Sequence, residues 1–409
     1  MKNRSKLWDR NFTIITIGTI ISAIGSIGLN FALSIVVYNN TSSIMLTGIY
    51  NAVIIIPQVL FPVLVAPYID RISRKKIIVF LDYLLGAIYT IFGVYLISTD
   101  FNYYLFIVVG FIASTIGVIY SLAYNSLFPD LIPEGFAQKG YSVSVLIYPI
   151  IAASFTPIAA IVYESVGIEI LFIIEGVLLL ICASVELFIK YEEGNRIADK
   201  YKLQEYFTDI KEGVLYLKKE KGILFIYLYI AVTIFASQGV SLLLVPFFQS
   251  HMVYNTTHYS LLLSAETIGR TVGGVLHYMI KIPEGKRYAI ASKVYIIYDL
   301  LDGVLMFVAF PIMVIMRFIE GFLGVNSANI RESSVQSYIP KEKRARVNSF
   351  FQLLVFGGMF LANLVAGVLG EIFSLPIAGA VFGCCGVVGA LILICKNKIE
   401  ISKIYNRDI

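Results

Sequence analysis

Long apolar runs alternate with short charged or Gly/Pro/Asn-bearing connections along the whole chain. Twelve such runs can be bounded, near 12–38, 44–69, 77–97, 103–128, 140–163, 168–190, 222–249, 258–281, 288–308, 311–337, 347–370 and 376–395. Each is about as long as the ~20-residue helix that crosses the hydrocarbon layer, and none shows the period-two alternation of a half-buried strand. The pattern therefore predicts twelve transmembrane helices and an all-α polytopic membrane protein. One connection, 191–221, behaves differently. Within it Leu203, Phe207, Ile210, Val214 and Leu217 recur at steps of four, three, four and three, with charged residues between them. That stripe predicts an amphipathic helix dividing the spans six and six.

Composition agrees and removes alternatives. The 409 residues are 58% hydrophobic and 14% charged, far from the ~45–50% and ~25% of soluble domains. No stretch is polar and long enough for a separate soluble domain, which excludes a catalytic head or a nucleic-acid-binding module. The run at 12–38 follows Lys2, Arg4, Lys6 and Arg10 but is too long for a signal-peptide core, so it reads as the first span. The net charge of +5 is best read as topology. If both termini are cytoplasmic, the inner connections hold 28 of the 32 lysines and arginines and the outer ones none, as the positive-inside rule requires.

The two sets of six spans echo each other at an offset of 207. Pro133 meets Pro340, Gly117 meets Gly324, Ser126 meets Ser333, Ser142 meets Ser349 and Glu164 meets Glu371. The expected organisation is a six-helix half over 1–190, a linker over 191–221 and a second half over 222–409. Repeats of this kind place a substrate site near the midplane and permit alternating access by rocking.

Four basic residues fall inside spans: Arg270, Lys293, Arg317 and Arg331. An ionised side chain at mid-bilayer costs at least ~2.5–3.5 kcal/mol, so each needs a partner, water or a function. Glu266 and Arg270 lie four apart, Asp299 and Asp302 three apart, and Arg317 and Glu320 three apart, each pair sharing a helical face. A carboxyl that alternately meets and leaves an arginine holds its proton with two affinities, which marks Glu266 and Arg270 as the candidate proton-coupling pair. Asp82, close to the inner face, reads as structural. Cys182, Cys384, Cys385 and Cys395 read as packing residues, and His251, His258 and His277 lack ligand spacing. No metal or cofactor is expected.

The segment APYIDRISRKK at 66–76 resembles the gate signature of the major facilitator superfamily, with Asp70, Arg71, Arg74 and Lys75 in place and Ala66 and Ser73 where glycine is usual. SLFPDLIPEGFAQKGYSVS, SVQSYIPKEKRARVNSFFQ and the Asp82 after the gate are similar to macrolide-efflux and siderophore-exporter carriers. The resemblance implies the twelve-helix major facilitator fold, and a cavity lined by the first, fourth, seventh and tenth helices. Asn30, Gln238, Arg317, Glu320 and Arg331 are then the substrate-cavity candidates. It also implies a proton-coupled exporter of a small organic molecule, drug- or macrolide-like, working as a monomer in a bacterial cell membrane. An anionic siderophore or metallophore is the alternative substrate, favoured by the intramembrane cations. An ion channel would need repeated filter or pore-ring sequences, and an enzyme a nucleotide loop, HExxH or a Cys/His set; none stands out.

Overall fold

The computed structural model describes residues 7–69, 72–191, 203–280 and 282–407, and within them every regular element is helical. The chain runs through α1 (Arg10–Thr41), α2 (Ile44–Ile69), α3 (Arg74–Ser98), α4 (Tyr103–Leu127) and α5 (Ala137–Glu186). It continues through α6 (Leu203–Lys219), α7 (Lys221–Ser250), α8 (Thr256–Met279), α9 (Arg287–Val304), α10 (Phe310–Tyr338), α11 (Lys341–Ile372), α12 (Leu375–Gly389) and α13 (Lys398–Tyr405). Nine described helices are long and apolar enough to cross a membrane. The twelve expected spans are recovered once two facts are added. α5 is 50 residues long and turns at Gly167, whose φ of 84° lies where only glycine is at ease, so it is two spans joined without a loop. α8 and α9 are the other two, kept out of the nine by the polar residues that the next section puts to use.

The residues group into two compact units. One holds 1–40 and 56–201; the other holds 41–55 and 202–409. Residues 41–55, which a division at 190 assigns to the first half, thus pack with the second unit. There Glu371 of α11 accepts hydrogen bonds from Ser43 Oγ (2.8 Å) and the Met45 amide (3.2 Å), a carboxylate at the positive N-terminal end of α2.

In the first unit Phe12, Ile15, Ile78, Ala123, Leu127 and Ala183 form the buried core. In the second, Leu217, Ile223, Tyr229, Tyr295, Val347, Ile394 and Tyr405 do so. Leu217 carries the stripe of α6 into that core. The same helix forms an ion pair from Glu212 to Arg346 of α11, and Lys343 sits 4.6 Å above the Tyr216 ring. The amphipathic helix therefore docks on its own unit. α13 was not foreseen; it buries Ile401, Ile404 and Tyr405, the last bonded to Tyr295 across 2.8 Å.

Candidate functional site

In the second unit α8 and α10 are drawn together by small residues. A side chain at Gly269 would collide with the Phe318 carbonyl, and one at Gly321 with the Glu266 carbonyl. Gly269 and Gly273 make the small-xxx-small spacing that lets membrane helices approach backbone to backbone. The contact sets the two charged faces opposite each other.

What assembles there is a five-residue ion cluster. Arg317 Nη1 lies 2.8 Å from Glu320 Oε2, 3.0 Å from Asp302 Oδ1 and 3.7 Å from Glu266 Oε2. Arg270 donates to Glu266 Oε1 through Nη2 at 2.7 Å and Nε at 3.1 Å. Asp302 and Glu320 side chains are fully buried and Arg317 is 3% exposed, whereas Glu266 is 18% and Arg270 52% exposed. Exposure thus rises along the chain of contacts from Asp302 to Arg270. Three carboxyl groups face two guanidinium groups, so with all five ionised one negative charge is uncompensated. Both Asp302 oxygens, Glu320 Oε1 and Arg317 Nε also lack hydrogen-bond partners. One carboxyl in excess and unfilled bonding positions leave this cluster electrically and sterically incomplete in an apolar interior.

Asp299, one turn before Asp302, is a different kind of residue. Tyr229 donates to its Oδ2 at 2.8 Å and Thr233 to its Oδ1 at 2.5 Å, both from α7. Its oxygens are satisfied by neutral hydroxyls, which ties α9 to α7. Sequence spacing pairs the two aspartates on one face; the structure sends Asp302 to the ion cluster and Asp299 to α7. The α9 register relative to α10, which decides this, is a tertiary fact with no local signal.

The remaining cavity candidates are separate. Asn30 is exposed on α1 in the first unit. Gln238 is half-buried on α7, its Nε2 3.5 Å from Asn363 Oδ1. Arg331, about three turns along α10 from Glu320, sits with its guanidinium 5.9 Å from the Phe351 ring, and its Nε has no hydrogen-bond partner. Phe351 in turn packs on Tyr227 at 4.4 Å between centroids. Glu332 accepts from Gln336 (3.0 Å).

Of the gate motif, Asp70 and Arg71 lie outside the described residues. Arg74 and Lys75 act as caps for helix ends. Buried Arg74 donates through Nη1 to the Ser126 carbonyl (2.5 Å) and Ser126 Oγ (3.1 Å) at the end of α4, and approaches Asp130 at 3.5 Å. Lys75 Nζ donates to the carbonyls of Leu187 (2.9 Å) and Ile189 (2.6 Å), just past α5. Cations at C-terminal helix ends satisfy orphan carbonyls and oppose the negative dipole end. Arg74→Met should therefore lower stability by roughly 1.5–3 kcal/mol, the worth of hydrogen bonds to a charged group, with Arg74→Lys recovering only part. Thermal unfolding in detergent reads this; an unchanged midpoint for Arg74→Met would show the cap to be idle.

Comparison with known proteins agrees with this architecture. The profile of the Major Facilitator Superfamily matches residues 15–296. Macrolide efflux protein A of Streptococcus pyogenes is 21% identical over 398 residues, 94% of this chain and 96% of that protein. The uncharacterized MFS-type transporter YkuC of Bacillus subtilis is 24% identical over 221 residues, about half of each chain (52% and 51%). Among solved structures, the nucleoside transporter NupG superposes with a TM-score of 0.68 at 15% identity, over 95% of this chain and 99% of that one. A bacterial homolog to the human lysosomal transporter Spinster, inward-facing and unoccupied, gives 0.65 at 13% identity over 97% and 98%. With apolar spans, a charge cluster held inside them and a superfamily profile over more than half its length, the chain belongs to the Major Facilitator Superfamily and is a multi-pass membrane transporter.

Proposed function

We propose that this carrier is a proton-coupled exporter of drug- or macrolide-like organic molecules that works by alternating access. The observation that carries the reading is the cluster of Glu266, Arg270, Asp302, Arg317 and Glu320, with one carboxyl more than it has cations. A coupling site must release a proton in one state and bind it in another. Glu266 shares its charge between Arg270 and Arg317, so helix motion that separates it from either raises its hold on a proton. Arg317 acts as the fixed centre and Arg270 as the movable partner.

The likeness to macrolide efflux protein A supports the substrate class and the outward direction. The cluster also speaks against an anionic substrate. Arg317 is surrounded by three carboxyls, so the positive field expected from Arg317 and Arg331 reduces to Arg331 alone, and that residue rests on an aromatic ring. Asn30, Gln238 and Arg331 remain the proposed substrate contacts, and Asp70 with Arg71 the proposed gate. The working unit is one chain in a bacterial cell membrane, both termini cytoplasmic, with halves 1–190 and 222–409 joined by 191–221.

Reconstitution into liposomes tests this. An imposed proton gradient should drive a radiolabelled macrolide to accumulate above its equilibrium level, and a protonophore should return it to that level. Macrolide movement indifferent to the proton gradient would remove the coupling, and the absence of saturable counterflow would remove the carrier.

A further inference from the structure

The first unit contains a second group of buried ionisable side chains, and among the described residues no arginine or lysine forms an ion pair with them. Asp82 stands on α3. Cys182 and Glu186 stand four residues apart, hence on one face, near the end of α5. One donor atom from each, a carboxylate oxygen, the thiol sulfur and a second carboxylate oxygen, can be chosen so that all lie within 4.8 Å of one another. Asp82 is 4% exposed; Cys182 and Glu186 are fully buried.

We propose that Asp82, Cys182 and Glu186 form a binding site for one divalent cation of the Zn2+ class. Asp82 Oδ2 and Glu186 Oε2 are buried with no hydrogen-bond partner. Two carboxyl oxygens left bare in an apolar interior are costly unless something positive stands between them. No cation of the protein does so among the described residues, in contrast to the second unit, where each carboxyl of the ion cluster meets an arginine.

Room for a small ion is kept by α1. A Cβ at Gly18 would come within 3.1 Å of Glu186 Oε1 and 3.2 Å of Cys182 Sγ. The Gly18 carbonyl already lies 3.4 Å from that sulfur, and Cys182 Sγ lies 3.6 Å from Glu186 Oε1. Three side chains converge with a backbone oxygen closing a fourth side. Zn2+ binds thiolate at about 2.3 Å and carboxylate at about 2.0–2.2 Å, commonly with four ligands. Donors bridged by such an ion sit closer together than 4.8 Å, so binding needs only a small turn of these side chains.

The donor set selects the class. Mg2+ and Ca2+ take oxygen ligands, and a thiol among them is wasted; sulfur with carboxylates suits Zn2+ or its spectroscopic substitute Co2+. Binding releases the thiol proton together with the protons held by the two buried carboxyl groups, and leaves two carboxylates and a thiolate around the metal. The site lies about two turns into α3 from Arg74, and Glu186 immediately precedes the carbonyls capped by Lys75. An ion there ties α3 to the end of α5 beneath those caps. This role is independent of the proposed proton coupling.

The full chain, purified in detergent and stripped with EDTA, is dialysed against Zn2+ or Co2+ alone. The expected result is one Zn2+ retained per chain and, with Co2+, a thiolate-to-cobalt charge-transfer band. Cys182→Ser should lose both, and Glu186→Gln should weaken Zn2+ binding at least about tenfold. A variant with Cys384, Cys385 and Cys395 all changed to serine should keep both. In that single-thiol chain Zn2+ should also slow maleimide modification of Cys182, a reading that stands even if Cys182→Ser fails to fold. Failure of the stripped wild type to retain Zn2+, or an unchanged band in folded Cys182→Ser, would overturn the site and leave the two acids holding only protons.

Discussion

Arg317→Met should destabilise the protein by roughly 3–5 kcal/mol, the cost of removing one partner from a buried ion pair. Among the described residues Arg317 is the one cation touching Asp302 and Glu320, and neither of those side chains reaches the surface. Without it two carboxyls are left in an apolar interior and Glu266 retains only Arg270. Methionine fills similar volume, so the loss reports charge rather than a cavity. Adding Glu320→Gln to Arg317→Met should return a substantial part of the loss, since it removes one of the stranded acids. Thermal unfolding in detergent measures both. A midpoint for Arg317→Met within error of the wild type would mean that the cluster is solvated and that the charge count given above has no force.

Glu266→Gln should separate coupling from carriage. Gradient-driven accumulation is expected to fall to the equilibrium level, while counterflow without a gradient stays within a few-fold of wild type. The variant balances the cluster at two carboxyls and two guanidiniums, so it should fold, and there is no longer an acid exposed enough to trade a proton. Asp299→Asn is the control, because its hydroxyl partners on α7 mark a structural tie. Proton-driven accumulation retained in Glu266→Gln would move the coupling to Glu320 or Asp302.

Much of this molecule is readable from residue order, for reasons that differ by element. The spans follow from apolar run length, and α6 from a stripe of five residues. The Glu266–Arg270 and Arg317–Glu320 contacts follow from helical spacing, because residues three and four apart must meet. The link between those two pairs does not follow, since it depends on Gly269 and Gly321 bringing α8 against α10. Asp302 is missed because its meeting with Arg317 depends on the register of α9 against α10. Asp82 and Cys182 stand 100 positions apart in the chain, and nothing local marks them as neighbours. The short α13 is polar enough to pass for a solvated tail, and only its packing on Tyr295 gives it a place.

The ion cluster also bears on how the protein is made. α9 is 18 residues long and brings Arg287, Lys293, Asp299 and Asp302 toward the bilayer. At about 2.5–3.5 kcal/mol for each charge near the middle of a span, such a segment is a poor candidate for independent insertion. α8 is handicapped in the same way by Glu266 and Arg270. Glu266 and Arg270 pair within α8 itself, whereas Asp302 is neutralised by Arg317 of α10, which is synthesised after it. Stable membrane residence of α9 thus waits for a later part of the chain, and the translocation machinery has to shelter Asp302 until Arg317 arrives.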